Sequence, residues 1–212
     1  VMVLDGNFET TSILEPFMVV FSAGNSAGSG VTAPKEAKNV VVTGSLDTFR
    51  VSGDVDAVSG FSSRGPAVDG RLLPTISAPG GSVSSTRRPG GTSCGTAIAN
   101  TDGEYSFCSG TSMAAPHASG ALILFTQWWR QQFAGATPSP AMGKALLVNS
   151  ATTLSNSPPP NNDSGWGRVD LSTIVDDGLV FEFWDQDTIF NASGESFSRT
   201  VGVVDPSKPL KV

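Results

Sequence analysis

Two short runs near the amino end are apolar throughout rather than alternating. Phe17-Met-Val-Val-Phe-Ser22 and Asn39-Val-Val-Val-Thr-Gly44 each close on small or polar residues, and both read as strands buried on two faces. Strands of that kind belong to parallel sheets covered by helices on both faces. From about Ser45 to Thr111 turn residues dominate, as in Ser62-Ser-Arg-Gly-Pro66, Ala78-Pro-Gly-Gly81 and Arg88-Pro-Gly-Gly91, so loops and short strands are expected there. The period then changes. Between about Ser112 and Phe133, the residues Met113, Ala114, Ala118, Ala121, Leu122, Phe125 and Trp129 recur at three- and four-residue steps, which predicts an amphipathic helix. Pro116 falls in its first turn, where a missing N–H costs little. A second helix is predicted to run to Ser150, with Ser139 as N-cap and Pro140 at its first position. A loop over 157–164 and a short apolar element, Leu171 to Val175, follow. Beyond Asp176 the runs alternate, Leu179 to Trp184 and Ser196 to Val204, and are expected to be antiparallel strands. The expected organisation is an α/β unit over residues 1–175 and the start of a β-rich unit over 176–212.

Composition narrows the function. The chain has 212 residues, 39% of them apolar and 15% charged, enough for a sizeable core. No apolar run exceeds five residues, far below the roughly 20 that span a bilayer, so no membrane partner is expected. The formal charge of −6 argues against nucleic acid, whose recognition demands a basic face. One histidine and two cysteines exclude His-rich and four-Cys zinc sites, and no metal or cofactor is expected. A structural calcium ion is left open: Asp54, Asp56, Asp163 and Asp187 lie in loops but form no ligand pattern of the EF-hand kind.

The chemistry lies in Ser109-Gly-Thr-Ser-Met-Ala-Ala-Pro116. A serine at the entrance of a long helix has unpaired N–H donors beside it and a dipole that favours negative charge. A glycine two positions earlier allows close approach, and Ala114 and Ala115 let the turn pack flat. Those are the requirements of a nucleophile whose oxygen meets a carbonyl while an N–H points at the resulting oxyanion. By itself such a serine is more simply an N-cap. A second string, Val19-Val-Phe-Ser-Ala-Gly-Asn25, ends a buried strand with a carboxamide. An amide at the carboxyl end of a strand in an α/β sheet faces the ligand crevice, and its NH₂ can complete an oxyanion hole.

Together these strings resemble the subtilisin-like serine proteases, the subtilases. Further matching segments are Ala33-Pro34 with Asn39 to Gly44, Phe61-Ser-Ser-Arg-Gly-Pro66, Asp69-Gly-Arg71, Ser77-Ala-Pro-Gly80 and Gly165-Trp-Gly-Arg-Val-Asp170. They keep the family's order over about residues 15 to 175. The resemblance implies a three-layer α/β sandwich with a mostly parallel sheet, Ser112 as nucleophile, Asn25 as oxyanion donor, and Ser22, Ala23 and Gly24 as wall of the S1 pocket. It also implies peptide or protein substrates and a secreted enzyme.

The family's triad runs Asp, His, Ser, with the first two well upstream of the asparagine. Here the single histidine, His117, follows Ser112 by five positions, and a residue that far along a helix points away from its first turn. His117 is therefore expected to be structural. Asp5, in Val3-Leu4-Asp5-Gly6, weakly matches the family's acidic strand but leaves no room for a histidine segment before Asn25. The chain is thus expected to be the carboxyl half of a catalytic domain, inactive alone, with sheet edges open to self-association. A degenerate subtilase kept for binding is the alternative. An α/β-hydrolase esterase fits less well, because Gly110-Thr-Ser-Met-Ala114 lacks the last glycine of the nucleophile elbow.

Cys94 and Cys108 fall in a Gly-, Ser- and Thr-rich stretch between Gly80 and Ser109 that looks longer than a minimal subtilase needs. As a disulfide they would staple a loop in an oxidising compartment; as thiols they would be two small residues. The acidic, lysine-poor composition and the loop context favour the bridge. The loop itself is either a stapled rim of the cleft or a surface excursion.

Overall fold

The computed structural model describes residues 17–88, 94–95, 97–175, 182–185, 190–203 and 205–207. Three strands, β1 (Val20–Ser22), β2 (Val41–Leu46) and β3 (Ile76–Pro79), form a parallel sheet in the order β1-β2-β3. Val20 stands opposite Val41 and Thr43 opposite Ile76. Every residue of β2 is buried, which is why its sequence shows no polar alternation. Its side chains still alternate in destination. Val40 and Val42 join one apolar cluster with Ala23, Val31, Ala37 and Leu73, whereas Val41 joins another with Ile76, Ala118, Leu122 and Leu147.

The second cluster is the helix-covered face. Helix α1 (Thr111–Gln132) buries Ala114, Ala118, Ala121, Leu122, Phe125 and Trp129 against the sheet and α2 (Pro140–Ser150). Each large apolar side chain so buried stabilises the fold by roughly 2 kcal/mol. Ser139 caps α2 as its sequence predicts, its Oγ accepting from Met142 N–H at 3.0 Å. The first cluster lies on the other face. Among the described residues it is covered by loop residues such as Val31, Ala37, Ala67 and Leu73, whose small apolar side chains reach the sheet without a helix.

The outer edge of β3 is finished by the segment 165–170. Ser77 N–H donates to the Gly167 carbonyl at 2.8 Å, Val169 N–H to Ser77 at 2.9 Å, and Thr152 and Arg168 exchange a pair of backbone bonds. Arg168 also pairs with Asp56, both side chains being largely buried. The Asp170 carboxyl is pushed up by burial, but bonds from Thr152 and Ser172 and the Arg168 charge outweigh this and hold it below the usual carboxylate range. A one-turn helix, α3 (Ser172–Val175), ends this part of the chain.

Of the antiparallel strands expected beyond Asp176, Leu179 to Phe181 and Val204 lie outside the described residues, and 182–184 and 196–203 are not in strand conformation. Phe183 instead enters an aromatic cluster at the far end of α1, its ring centroid 5.2 Å from Trp129 and 5.9 Å from Trp128. Asp185 accepts from Ser139 N–H at 2.7 Å and from its hydroxyl. Phe183 thus packs on the helix α1.

Between β3 and α1 the chain makes a hairpin of β4 (Val83–Thr86) and β5 (Tyr105–Cys108), stapled by the Cys94–Cys108 disulfide. Gly110 N–H bonds the Gly80 carbonyl and Ser82 N–H bonds Ser109 Oγ, each at 2.9 Å, so the excursion leaves and returns at nearly one point. Among the described residues no helix is long and apolar enough to cross a membrane, and no group of three or more metal-ligating side chains is assembled.

Candidate active site

Helix α1 begins one residue before Ser112, and its N-cap is Gly110, which has no side chain to offer. The first-turn N–H groups must find other partners. Met113 N–H returns to the Gly110 carbonyl at 2.9 Å, and Thr111 N–H donates to Asn25 Oδ1 at 2.9 Å. The Ser112 N–H has no acceptor among the described residues. Ser112 is exposed and sits inside the first turn, so it is not the helix cap. Gly110 takes φ 153°, and a Cβ there would lie 3.1 Å from Asn25 Nδ2. Only glycine fits that approach.

Asn25 stands three residues beyond the end of β1. Its Oδ1 accepts from both the N–H and the hydroxyl of Thr111, the latter at 3.0 Å. A backbone N–H can only donate, so the atom bonded to Thr111 is the carboxamide oxygen, and the NH₂ lies on the side of Gly110. That NH₂ has no acceptor among the described residues. Thr111, 1% exposed, also accepts from Gly24 N–H at 3.0 Å. One buried hydroxyl thus ties Gly24, the Asn25 carboxamide and the first residue of α1 together. Thr111 was not singled out from the sequence. The signal was present, since a threonine wedged between Gly110 and Ser112 at a helix start has few reasons to be buried.

Ser22, Ala23 and Gly24 carry the chain from the sheet to Asn25. Ala23 N–H continues the ladder to Thr43 at 2.9 Å, and the Gly24 carbonyl accepts from Ser63 N–H at 2.8 Å. Gly24 has φ +120°, and a Cβ on it would meet Ser63 Oγ at 2.9 Å. Ser22 and Ser112 line one cleft of about 540 Å³ with Phe21, Ala115 and Pro116. A larger cleft of about 770 Å³, lined by Met18, Leu122, Gln127 and Arg130, does not touch Ser112 but continues along the same side of β1. Among the described residues β1 pairs only with β2, so both clefts follow its open edge.

His117 is exposed, and its Nδ1 lies 2.9 Å from the Met113 carbonyl. A carbonyl only accepts, so Nδ1 carries the proton and the ring is tied to its own helix rather than to Ser112. Asp5 and Asp187 lie outside the described residues. The remaining loop carboxylates have protein partners: Asp54 accepts from Asn156 at 2.6 Å, Asp56 from Arg168, and Asp163 stands 3.5 Å from Arg64.

Comparisons with known proteins agree with this geometry. A family model described as the subtilase family matches residues 5–167. Serine protease AprX of Bacillus subtilis is 36% identical over 164 residues, covering 74% of this chain and 35% of the relative. A subtilisin-like protease of Arabidopsis thaliana, SBT4.10, is 33% identical over 146 residues, 68% of this chain and 21% of the relative. The crystal structure of fervidolysin from Fervidobacterium pennivorans superposes with TM-score 0.58 at 30% identity, covering 77% of this chain and 23% of that one. The chain therefore spans about a fifth to a third of the relatives' lengths. A match of that extent, on a chain folded this way, makes the protein a member of the subtilase family of serine proteases.

Proposed function

We propose that this chain supplies the nucleophile and the oxyanion hole of a secreted serine endopeptidase acting on peptide or protein substrates. Ser112 attacks the scissile carbonyl. The oxygen that becomes negative is received by the Ser112 N–H and the Asn25 NH₂, neither of which has another acceptor among the described residues. Thr111 holds the carboxamide in the only flip that presents its donor. That locked amide is the observation that carries the reading: a merely structural asparagine would use its NH₂ as well as its oxygen.

The general base is a separate requirement. The chain's single histidine is bound to the Met113 carbonyl, and Ser112 without a base is not activated. We therefore place the base and its orienting acid outside this chain, and expect the chain alone to be inactive. The open β1 edge makes concentration-dependent self-association the expected behaviour of the isolated chain. A binding-only role leaves the two free donors unexplained.

The test is active-site labelling with a fluorophosphonate. The chain alone should label poorly. Joined to the upstream half of a subtilase catalytic domain bearing Asp and His, it should label rapidly, and Ser112→Ala should abolish this. Rapid Ser112-dependent labelling of the isolated chain would show that a base is already present. Absence of labelling in the folded, completed domain would remove Ser112 as nucleophile.

A further inference from the structure

Lys35 lies in the turn behind the S1 wall, its backbone N–H bonded to the Thr32 carbonyl at 3.1 Å. Its side chain is half-buried, and Nζ donates to the carbonyl of Ala23 at 3.0 Å. A Cβ built on Gly24 would come within 3.3 Å of the same nitrogen. The ammonium thus occupies the space against Ser22–Gly24 that the absent Gly24 side chain leaves open. It has no carboxylate partner among the described residues, whose ion pairs involve Arg64, Arg71 and Arg168. The adjacent Glu36 is committed elsewhere, its Oε1 accepting from Val68 N–H at 2.7 Å.

An ammonium has three donors, and the Ala23 carbonyl takes one. A half-buried cation without a counter-ion costs desolvation that one neutral carbonyl only partly offsets. A group held in that state beside a binding wall is suited to a ligand that brings the missing charge.

We propose that Lys35 places a positive charge against the Ser22–Gly24 segment, which the endopeptidase reading takes as the S1 wall, and that the substrates are polypeptides with an acidic side chain on the acyl side of the scissile bond. This deepens the endopeptidase reading and rests on its assignment of the S1 wall. The selectivity is local, because the chain's net charge of −6 repels acidic peptides at long range. A charge-assisted bond from the ammonium to a carboxylate should favour glutamate over its neutral isostere by about tenfold.

The experiment compares two peptides that differ only in charge, Ac-Ala-Ala-Pro-Glu and Ac-Ala-Ala-Pro-Gln. Each is titrated into the isotopically labelled chain and followed by amide NMR. The Glu peptide should shift the amides of Ser22–Asn25 and bind about tenfold more tightly than the Gln peptide. Lys35→Met should bring the ratio to about one, and Lys35→Arg should keep it above one. In the completed domain the ratio of kcat/KM for cleavage after Glu and after Gln should follow the same order. A thermal melt of each variant separates lost charge from lost fold, and a misfolded Lys35→Met leaves the wild-type ratio as the decisive measurement. Equal affinity for the two peptides, failure of either to perturb Ser22–Asn25, or a Glu preference that survives in folded Lys35→Met would overturn the proposal. A Glu preference in binding without Ser112-dependent hydrolysis would sink the protease reading and leave Lys35 standing; hydrolysis without a Glu preference would do the reverse.

Discussion

The two edges of the parallel sheet are finished differently. On the β3 side the segment 165–170 adds a further strand-like layer, and its polar groups find partners in Ser77, Thr152, Asp56 and Ser172. On the β1 side, among the described residues, no strand follows, and the clefts beside Ser112 and along α1 open onto that edge. Stability and chemistry are thus assigned to opposite edges. The Ser112 N–H and the Asn25 NH₂ have no acceptor among the described residues, and β1 has no second partner strand among them. A saturated edge can only hold the sheet together, whereas an unsaturated one can receive a ligand or the rest of a domain.

The comparison is broken most severely from its open side. In the completed domain, Asn25→Ala should lower kcat about 10²- to 10³-fold with KM nearly unchanged, the loss known for the corresponding donor of subtilisin itself. The amide meets charge that develops only in the transition state, so steady-state kinetics that showed a raised KM and an intact kcat would reassign Asn25 to substrate binding.

The closed side should respond in stability rather than rate. At Gly167, where φ is +123°, a Cβ would lie 2.4 Å from the Thr152 carbonyl. Gly167→Ala should therefore cost about 3 kcal/mol of stability, read from denaturant unfolding, because neither backbone can move without breaking the edge. A melting curve unchanged from wild type would mean that the segment is not seated as described.

The hairpin offers a contrast of similar size. Closing a loop of about 15 residues with Cys94–Cys108 contributes on the order of 3 kcal/mol through the unfolded state. Its ends are independently pinned by Gly80 and Gly110, so reduction should loosen the hairpin while the sheet stays folded. Intact mass before and after alkylation shows whether the bridge forms, and amide exchange should localise the change to the hairpin. Next comes the ion pair. Asp56→Ala strands a partly buried Arg168 and should cost about 1 to 2 kcal/mol, more than an exposed pair would.

The smallest effect is a pH dependence. The folded Asp170 carboxyl lies below its ordinary value, so its contribution is present above the unfolded pKa and is lost as pH falls through the folded one. Asp170→Asn should lower the melting temperature at neutral pH, and the gap to wild type should close below about pH 4. A gap of constant size down to pH 2 would assign the effect to shape rather than charge.

Much of this was legible in the residues. The helix over Thr111–Gln132, the cap at Ser139 and the buried β2 follow from periodicity and local hydrogen bonding, which act within a few residues and so leave a local signature. Ser112 and Asn25 stood out as candidates because their strings have requirements that few other roles share, and the structure brings the two strings together. The aromatic packing of Phe183 was not legible, for the opposite reason. Period alone does not say what an apolar side chain will meet, and here an aromatic cluster on α1 was nearer than a partner strand.

The sequence by itself determined the main elements, the helix that carries Ser112, and the family. Only the tertiary structure decided which way the Asn25 carboxamide faces, that Thr111 holds it there, that Lys35 reaches the Ala23 carbonyl, and which sheet edge is closed. Those contacts join residues that lie 12 to 92 positions apart. A hydrogen bond between distant residues depends on how whole elements stack. No window of sequence contains both partners, so no pattern within one can announce it.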